Sequence, residues 1–307
     1  MGFPASQPAL PVPSLPPVPQ AAHAPHAAPV VDMAQAIGDL AVAVLIDEAT
    51  LAPKPGLVDA RGNGSHRDMS LQLMIDSAHS LRDGFVAMAR AGQHARRLDA
   101  ALREQLGALG RSAEAQMLRI TGGVNTHRGA IWALGLLAGA AGWLGSTRSA
   151  SSVARMAGVI ARMPDRHRPA HTGNKGEWVR ATYAVGGARE QAEAGFPHVT
   201  GVGLPMLRAC RARGDAEPTA QVNTLLAIVA QLDDTCVLAR AGLAGLADVQ
   251  AGAEAVIDAG GIGTLSGRRR LHDLEATMRA HQASPGGAAD LLAATLFLDR
   301  LCAEGEP

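Results

Sequence analysis

GAIWALGLLAGAAGWLGST, residues 129–147, carries no charged side chain. By length alone it is enough to cross a bilayer as a helix. Its composition points elsewhere. Glycine and alanine fill much of it, and the polar run Asn125-Thr126-His127-Arg128 stands directly before it. A helix that is apolar on all sides is either a membrane span or the centre of a bundle. The small side chains and the polar run at its start favour the bundle centre.

The flanking sequence repeats the helical signal. Spans 33–49, 70–91, 98–120, 152–163, 176–194, 203–212, 219–239, 244–259, 263–280 and 285–303 place apolar residues at three- and four-residue steps, as in Leu71, Met74, Ile75, Ala78 and Leu81. The 176–194 span is interrupted near Gly186-Gly187. No span alternates apolar and polar residues, so no sheet is expected. The predicted fold is all-α, a single multi-helix bundle domain over 32–307. Residues 1–31 hold nine of the 18 prolines and no charge, and read as a disordered Pro/Ala-rich tail.

Composition narrows the function. Hydrophobic residues make up 47% and aromatics 3%, and the formal net charge is +0. A neutral chain has no global field for a nucleic acid or an anionic membrane, but local patches still suit a small anionic substrate. Cys210, Cys236 and Cys302 are unpatterned, which suggests free thiols in a reducing, cytoplasmic setting.

Four segments carry chemistry. The first, residues 53–68, is stiffened by Pro53 and Pro55 and opened by Gly56, Gly62 and Gly64. It sets Lys54, Arg61, His66 and Arg67 beside Asp59 and Asp68; the cations suit phosphate oxygens and the carboxylates suit magnesium. The same charges would also make a self-neutralising surface loop. The second segment opens the uncharged helix with Asn125, Thr126, His127 and Arg128, where free amides and the helix dipole suit an anion; Asn125 or Thr126 would cap the helix. The third, Asp233-Asp234 followed by Arg240, fits either magnesium or an Asp233–Arg240 ion pair on one helix face. The fourth, Ser284-Pro285-Gly286-Gly287, is a good helix start with Ser284 as its cap and two glycines leaving room for a ligand. Between them, Lys175 and Arg189 add scattered positive charge, and His272-Asp273 reads as a surface pair.

The strings TLAPKPGLVDARGNGSHRDM, AEAQMLRITGGVNTHRGAIWALGLL, GGAREQAEAGFPHV, DDTCVLARAG and SPGGAADLLAATLFL occur in this order across residues 40–303. Together they resemble the triphosphoribosyl-dephospho-CoA synthase family, and most closely the branch serving malonate decarboxylase rather than citrate lyase. Arg67 and Arg128 stand where lysine is common in that family, and Ala288 where serine is common. The resemblance implies transfer of the triphosphoribosyl group of ATP to the 2′-hydroxyl of 3′-dephospho-CoA, with release of adenine. The product would go to a holo-synthase that loads an acyl carrier protein.

On that reading, Lys54, Gly56, His66, Arg67, Asn125, Thr126, His127, Arg128, Arg240, Ser284, Gly286 and Gly287 hold the substrates and their phosphates. Asp68, Asp233 and Asp234 hold magnesium or stand near the anomeric carbon, with Asp68 and Asp234 among the catalytic candidates. Asp59 or Glu114 is the base. Two other readings use the same residues: a magnesium-dependent nucleotide phosphohydrolase and a non-catalytic helical adaptor.

Overall fold

The computed structural model describes residues 1–2, 32–170 and 173–303. The tail reading for residues 1–31 falls almost wholly outside that set. Among the described residues the chain forms thirteen α-helices and no strand; the one antiparallel bridge, Asp59 to Gly62, closes a turn. The helices are α1 (Met33–Thr50), α2 (Leu71–Ser80), α3 (Arg82–His94), α4 (Ala100–Ile120), α5 (Arg128–Leu144), α6 (Ala150–Arg162) and α7 (Lys175–Tyr183). They continue as α8 (Gly187–Glu193), α9 (Leu204–Ala212), α10 (Glu217–Gln231), α11 (Thr235–Asp258), α12 (Leu265–His281) and α13 (Gly286–Ala303). A π-helical turn, His198–Gly203, leads into α9.

The uncharged stretch is α5, and it is the centre of the fold. Its 17 residues bury nearly every side chain from Ala130 to Gly142. Its closest partner is α3. A Cβ on Gly92 would collide with the Gly139 carbonyl, and one on Gly142 with the Ala89 carbonyl. The two backbones therefore touch. Each helical glycine costs about 1 kcal/mol in propensity, which the dispersion contacts of such a close approach offset. Among the described residues no single helix is long and apolar enough to cross a membrane.

Helices α1 and α13 pack on α5 and on each other, and α10 and α11 pack against α13. Side-chain oxygens start several helices: Asp32, Ser70, Asp99, Ser149, Asn174 and Thr264 each accept an amide of the first turn.

Two predicted helices are broken where a short polar side chain competes with the backbone. The 70–91 span divides at Leu81. There Ser80 Oγ donates to the Ser77 carbonyl at 2.7 Å, and the Leu81 amide turns to Ala78 at 3.2 Å. The 219–239 span divides at 232–234, because Asp234 leaves the helix to accept the Cys236 amide at 2.7 Å. The expected break before residue 244 is only a kink inside α11 at Gly242, which has φ 65°. The break at Asp234 matters most, since it creates a new helix start beside the start of α13.

A candidate active site where helix starts meet

Residues 51–70 join α1 to α2 as a braced loop. Asp59 is 3% exposed and accepts from the Lys54 amide at 2.8 Å, the Arg61 amide at 2.7 Å and Arg61 Nε at 2.9 Å. Burial alone would raise its pKa. The hydrogen bonds from Arg61 and the two amides outweigh that and hold it below the usual carboxylate range. Arg61 also reaches Glu275 on α12 at 2.7 Å. Asp59 thus braces the loop from a buried position, with its carboxylate turned toward Lys54 and Arg61. Gly56, at φ 71°, is pressed against the Ala283 carbonyl 2.5 Å from where a Cβ would sit, so only glycine fits.

Lys54 is also turned inward. It is 2% exposed, and its Nζ bonds the Glu48 carbonyl and, at 2.5 Å, Glu48 Oε1. This is a buried ion pair between α1 and the loop, and it replaces the phosphate contact expected of Lys54. His66 lies under the loop's far end. Arg240 Nη2 donates to its Nδ1 at 3.2 Å, because a guanidinium can only donate. His66 Nε2 must then carry the proton and give it to Ser284 Oγ at 2.8 Å. Burial first, then the charge of Arg240, lowers the His66 pKa. Arg240 also donates to the Ser65 and Gln282 carbonyls at 3.1 and 3.4 Å. It ties the loop to the α12–α13 connection instead of pairing with Asp233. Ser284 is likewise engaged with His66 rather than capping α13.

Asp234 takes over that cap. Its Oδ1 accepts the Cys236 amide at the start of α11, and its Oδ2 accepts the Ala288 amide in the first turn of α13 at 2.9 Å. One buried carboxylate therefore caps two helices. A Cβ on Gly287 would stand 3.1 Å from this carboxylate. Burial raises the Asp234 pKa, against the pull of the amides. Asp233, by contrast, is exposed and lines a cleft of about 270 Å³ beside α8.

The start of α5 faces the same place. Its residue Gly129 has no room for a side chain, because the Asp290 carboxylate of α13 fills that space and accepts from the Ala130 amide. Burial, and then the charges of Glu48 and Asp234, push the Asp290 pKa well above the usual carboxylate range. His127, 2% exposed, precedes this turn. Its Nδ1 lies 2.8 Å from Ser77 Oγ, which lies 2.7 Å from Thr126 Oγ1. Its Nε2 is buried without a partner. Burial first, and then the Lys54 charge, lowers its pKa to about 4. His127 is therefore neutral near pH 7 and brings no positive charge to a phosphate. Asn125 Oδ1 accepts the Arg128 amide at 3.2 Å, but the N-cap of α5 is His127, whose side chain makes no capping bond; Arg128 Nε pairs with Glu114 at 2.6 Å.

The sequence-derived residues thus fall into three groups. Lys54, His127 and Asp234 are buried together with Asp290 and Glu48. Asp59, Gly56, His66, Arg240 and Ser284 hold the loop in place around them, and Gly286 and Gly287 let Cys236 and the Asp234 carboxylate pack against the start of α13. Arg67, Asp68 and Asp233 are exposed, while Glu114 and Arg128 form a half-exposed pair. Sequence reading missed Glu48, Ser77 and Asp290 as site residues. Asp290 had a signal: it is the only charge between residues 285 and 298. Among the described residues no three His, Cys, Asp or Glu side chains converge as a metal site. His272 and Asp273 lie on the surface.

Helix starts gathered around a carboxyl group with a raised pKa and a buried histidine suit an anionic ligand. The comparisons make the class specific. The model of the ATP:dephospho-CoA triphosphoribosyl transferase family matches residues 34–306, and the chain belongs to that family. It is accordingly a transferase of the triphosphoribosyl-dephospho-CoA synthase type. A 2-(5''-triphosphoribosyl)-3'-dephosphocoenzyme-A synthase of Klebsiella pneumoniae is 55% identical over 85% of this chain and 92% of its own length. Proteins named as probable synthases of the same kind are 57% identical in Stutzerimonas stutzeri, over 87% and 92%, and 56% in Azotobacter vinelandii, over 88% and 92%. No solved structure matches the chain.

Proposed function

We propose that this enzyme transfers the 5-triphosphoribosyl group of ATP to the 2′-hydroxyl of 3′-dephospho-CoA. The bond from the ribose anomeric carbon to adenine breaks, and a bond from that carbon to the 2′-oxygen forms. The hydroxyl loses a proton, adenine gains one, and the triphosphate stays on its ribose. The observation that carries this reading, beside membership of the family, is the Asp234–Asp290 pair at the joined starts of α5, α11 and α13.

The two carboxyls share the roles such a reaction needs. Asp290, whose pKa is raised by burial and by the charges of Glu48 and Asp234, is the group placed to supply the proton to adenine. Asp234, whose two oxygens accept amides at two helix starts, lies beside the oxocarbenium-like carbon and stabilises it in its ionised form. The free Nε2 of His127 accepts the hydrogen bond of the incoming hydroxyl, with Nδ1–H held on Ser77.

Magnesium fits as a passenger of the triphosphate. With no three-ligand protein cage among the described residues, its oxygens would come mainly from ATP, with exposed Asp68 or Asp233 completing the shell. Bound there, it would neutralise the triphosphate. We further propose the malonate decarboxylase branch, from the residue pattern, so that the product serves its acyl carrier protein through a holo-synthase. A cytoplasmic site of action agrees with three free cysteines.

The test is a product analysis after incubation with ATP and dephospho-CoA. Stoichiometric adenine without phosphate or pyrophosphate is the expected result. Phosphate without adenine would instead make the protein a phosphohydrolase, and neither product would leave it an adaptor.

A further inference from the structure

A cluster of arginines runs outward from Arg128 at the edge of the site described above. Arg103, Gly107, Arg111 and Glu114 share one face of α4 by helical period, and Arg128 and Trp132 share one face of α5. The two faces meet through the Arg128–Glu114 pair and through Arg103, whose guanidinium lies 5.1 Å from the centre of the Trp132 ring. Trp132 Nε1 in turn donates to the Ala188 carbonyl at 3.1 Å, which brings α8 and its Arg189 alongside.

This strip is under-neutralised. Arg103 and Arg111 both use the same oxygen of Asp165, at 3.3 and 2.9 Å. Glu114 answers Arg128 and Glu193 answers Arg189, while Arg168 stands close enough to act on Arg103. Five arginines thus face three carboxylates. Glu104 is already matched by Arg166, and Glu190 shares its cleft with Arg180. Arg103 is only 5% exposed, and its Nε is buried with no hydrogen-bond partner. A buried N–H left unpaired is costly, by roughly 1–3 kcal/mol. Stability gives no reason to keep it; a ligand that supplies the missing acceptor does.

From Arg103 to Glu114 the strip runs about 16 Å along α4. One end is Arg128 at the start of α5, beside the catalytic carboxyls. The other end meets Arg189, which also lines an open cleft of about 480 Å³ with Arg180. Exposed ion pairs such as Arg189–Glu193 contribute little and open readily.

We propose that the strip of Arg103, Arg111, Arg128 and Arg189 is a second polyphosphate cradle, distinct from the helix starts at Asp234 and Asp290. This rests on the transfer reading, in which two 5′-polyphosphate nucleotides must be bound at once with their sugars in contact. One set of donors cannot serve both chains. The guanidinium fork is suited to phosphate oxygens, and Trp132 holds the innermost one flat.

The test is calorimetric titration of the full chain with ATP and with dephospho-CoA, each alone. Arg103 is buried and its removal risks unfolding, so the informative variant is Arg111→Gln with Arg189→Gln, both part-exposed. We expect one nucleotide to bind at least tenfold more weakly and the other to change less than twofold; the one affected is the occupant of the strip. Arg213→Gln, on the distant end of α9, should change neither. If the double variant leaves both affinities within twofold, or weakens both equally, the second cradle is overturned. These affinities are read without turnover, so a wild-type protein that releases no adenine sinks the transfer reading while leaving the binding result intact.

Discussion

The inner wall of the site and its rim differ in how their charges are satisfied. On the wall, Lys54, Glu48, Asp234, Asp290 and His127 are held by one another and by helix amides. On the rim, Arg67 and Asp233 stand in solvent, and Asp68 is exposed with its Oδ1 3.8 Å from His66 Nδ1. Sequence makes the two groups look alike, since each is a polar residue in a distinctive segment. The difference teaches that wall residues set protonation states while holding the fold together, whereas rim residues remain free to meet a ligand. Substitutions should therefore cost stability and activity together on the wall, and activity alone on the rim.

Lys54→Met tests the wall most severely. It leaves Glu48 buried without its cation and next to Asp290. Breaking a buried pair from one side costs about 3–5 kcal/mol, so the urea midpoint should drop by a corresponding amount. A variant as stable as wild type would mean that the Glu48–Lys54 pair is not closed in solution.

His127 gives an effect of nearly the same size through pH. Its pKa falls from 6.5 to about 4 on folding, so the unfolded chain binds the extra proton between those values. Stability is fully present above pH 6.5 and is lost as pH falls toward 4, by about 3 kcal/mol in total. Asp234 and Asp290 have raised values and act oppositely, losing stability as pH rises above the ordinary carboxylate range. Comparing wild type with His127→Gln by thermal denaturation at several pH values removes the carboxyl contribution. A difference that does not vary between pH 6.5 and 4 would show that His127 is solvated.

The wall was only partly legible in the sequence, and for a physical reason. Helical period, proline stops and the small residues of 129–147 depend on local chemistry, so the all-helical class followed from them. Which way each charge points depends on contacts across the bundle. Lys54 was read toward phosphate because nothing local reveals Glu48 beneath it. Asp233 and Asp234 read as a pair, but both lie in the non-helical link between α10 and α11, which sends one to solvent and one to two amides. Ser284 looked like a cap until His66, 218 residues away in sequence, took its hydroxyl. The arginine strip is spread over α4, α5 and α8, and no single segment announces it.

Asp234→Ala removes one cap from each of two helices. At about 1 kcal/mol per cap the loss is about 2 kcal/mol. Asp234→Asn keeps an acceptor oxygen for one helix and should lose about half as much in a urea titration. Both should lose adenine release at saturating substrate, because neither provides the negative charge beside the anomeric carbon. An Asp234→Asn enzyme with wild-type turnover would reduce Asp234 to a purely structural cap.

The smallest stability effects belong to the rim and bear most directly on the comparison. Arg67→Gln and Asp233→Asn remove exposed charges that make no ion pair among the described residues, and each should leave the urea midpoint within about 0.5 kcal/mol of wild type. Their cost should appear only with substrate. Arg67→Gln should raise the KM for ATP several-fold with kcat nearly kept, since it removes a charge that acts alike on bound ATP and on the transition state. Asp233→Asn should raise the magnesium concentration needed for half-maximal rate if that carboxylate helps to hold the ion. If Arg67→Gln instead lowers kcat and leaves KM alone, the rim takes part in the chemical step, and the division between a reacting wall and a binding rim fails.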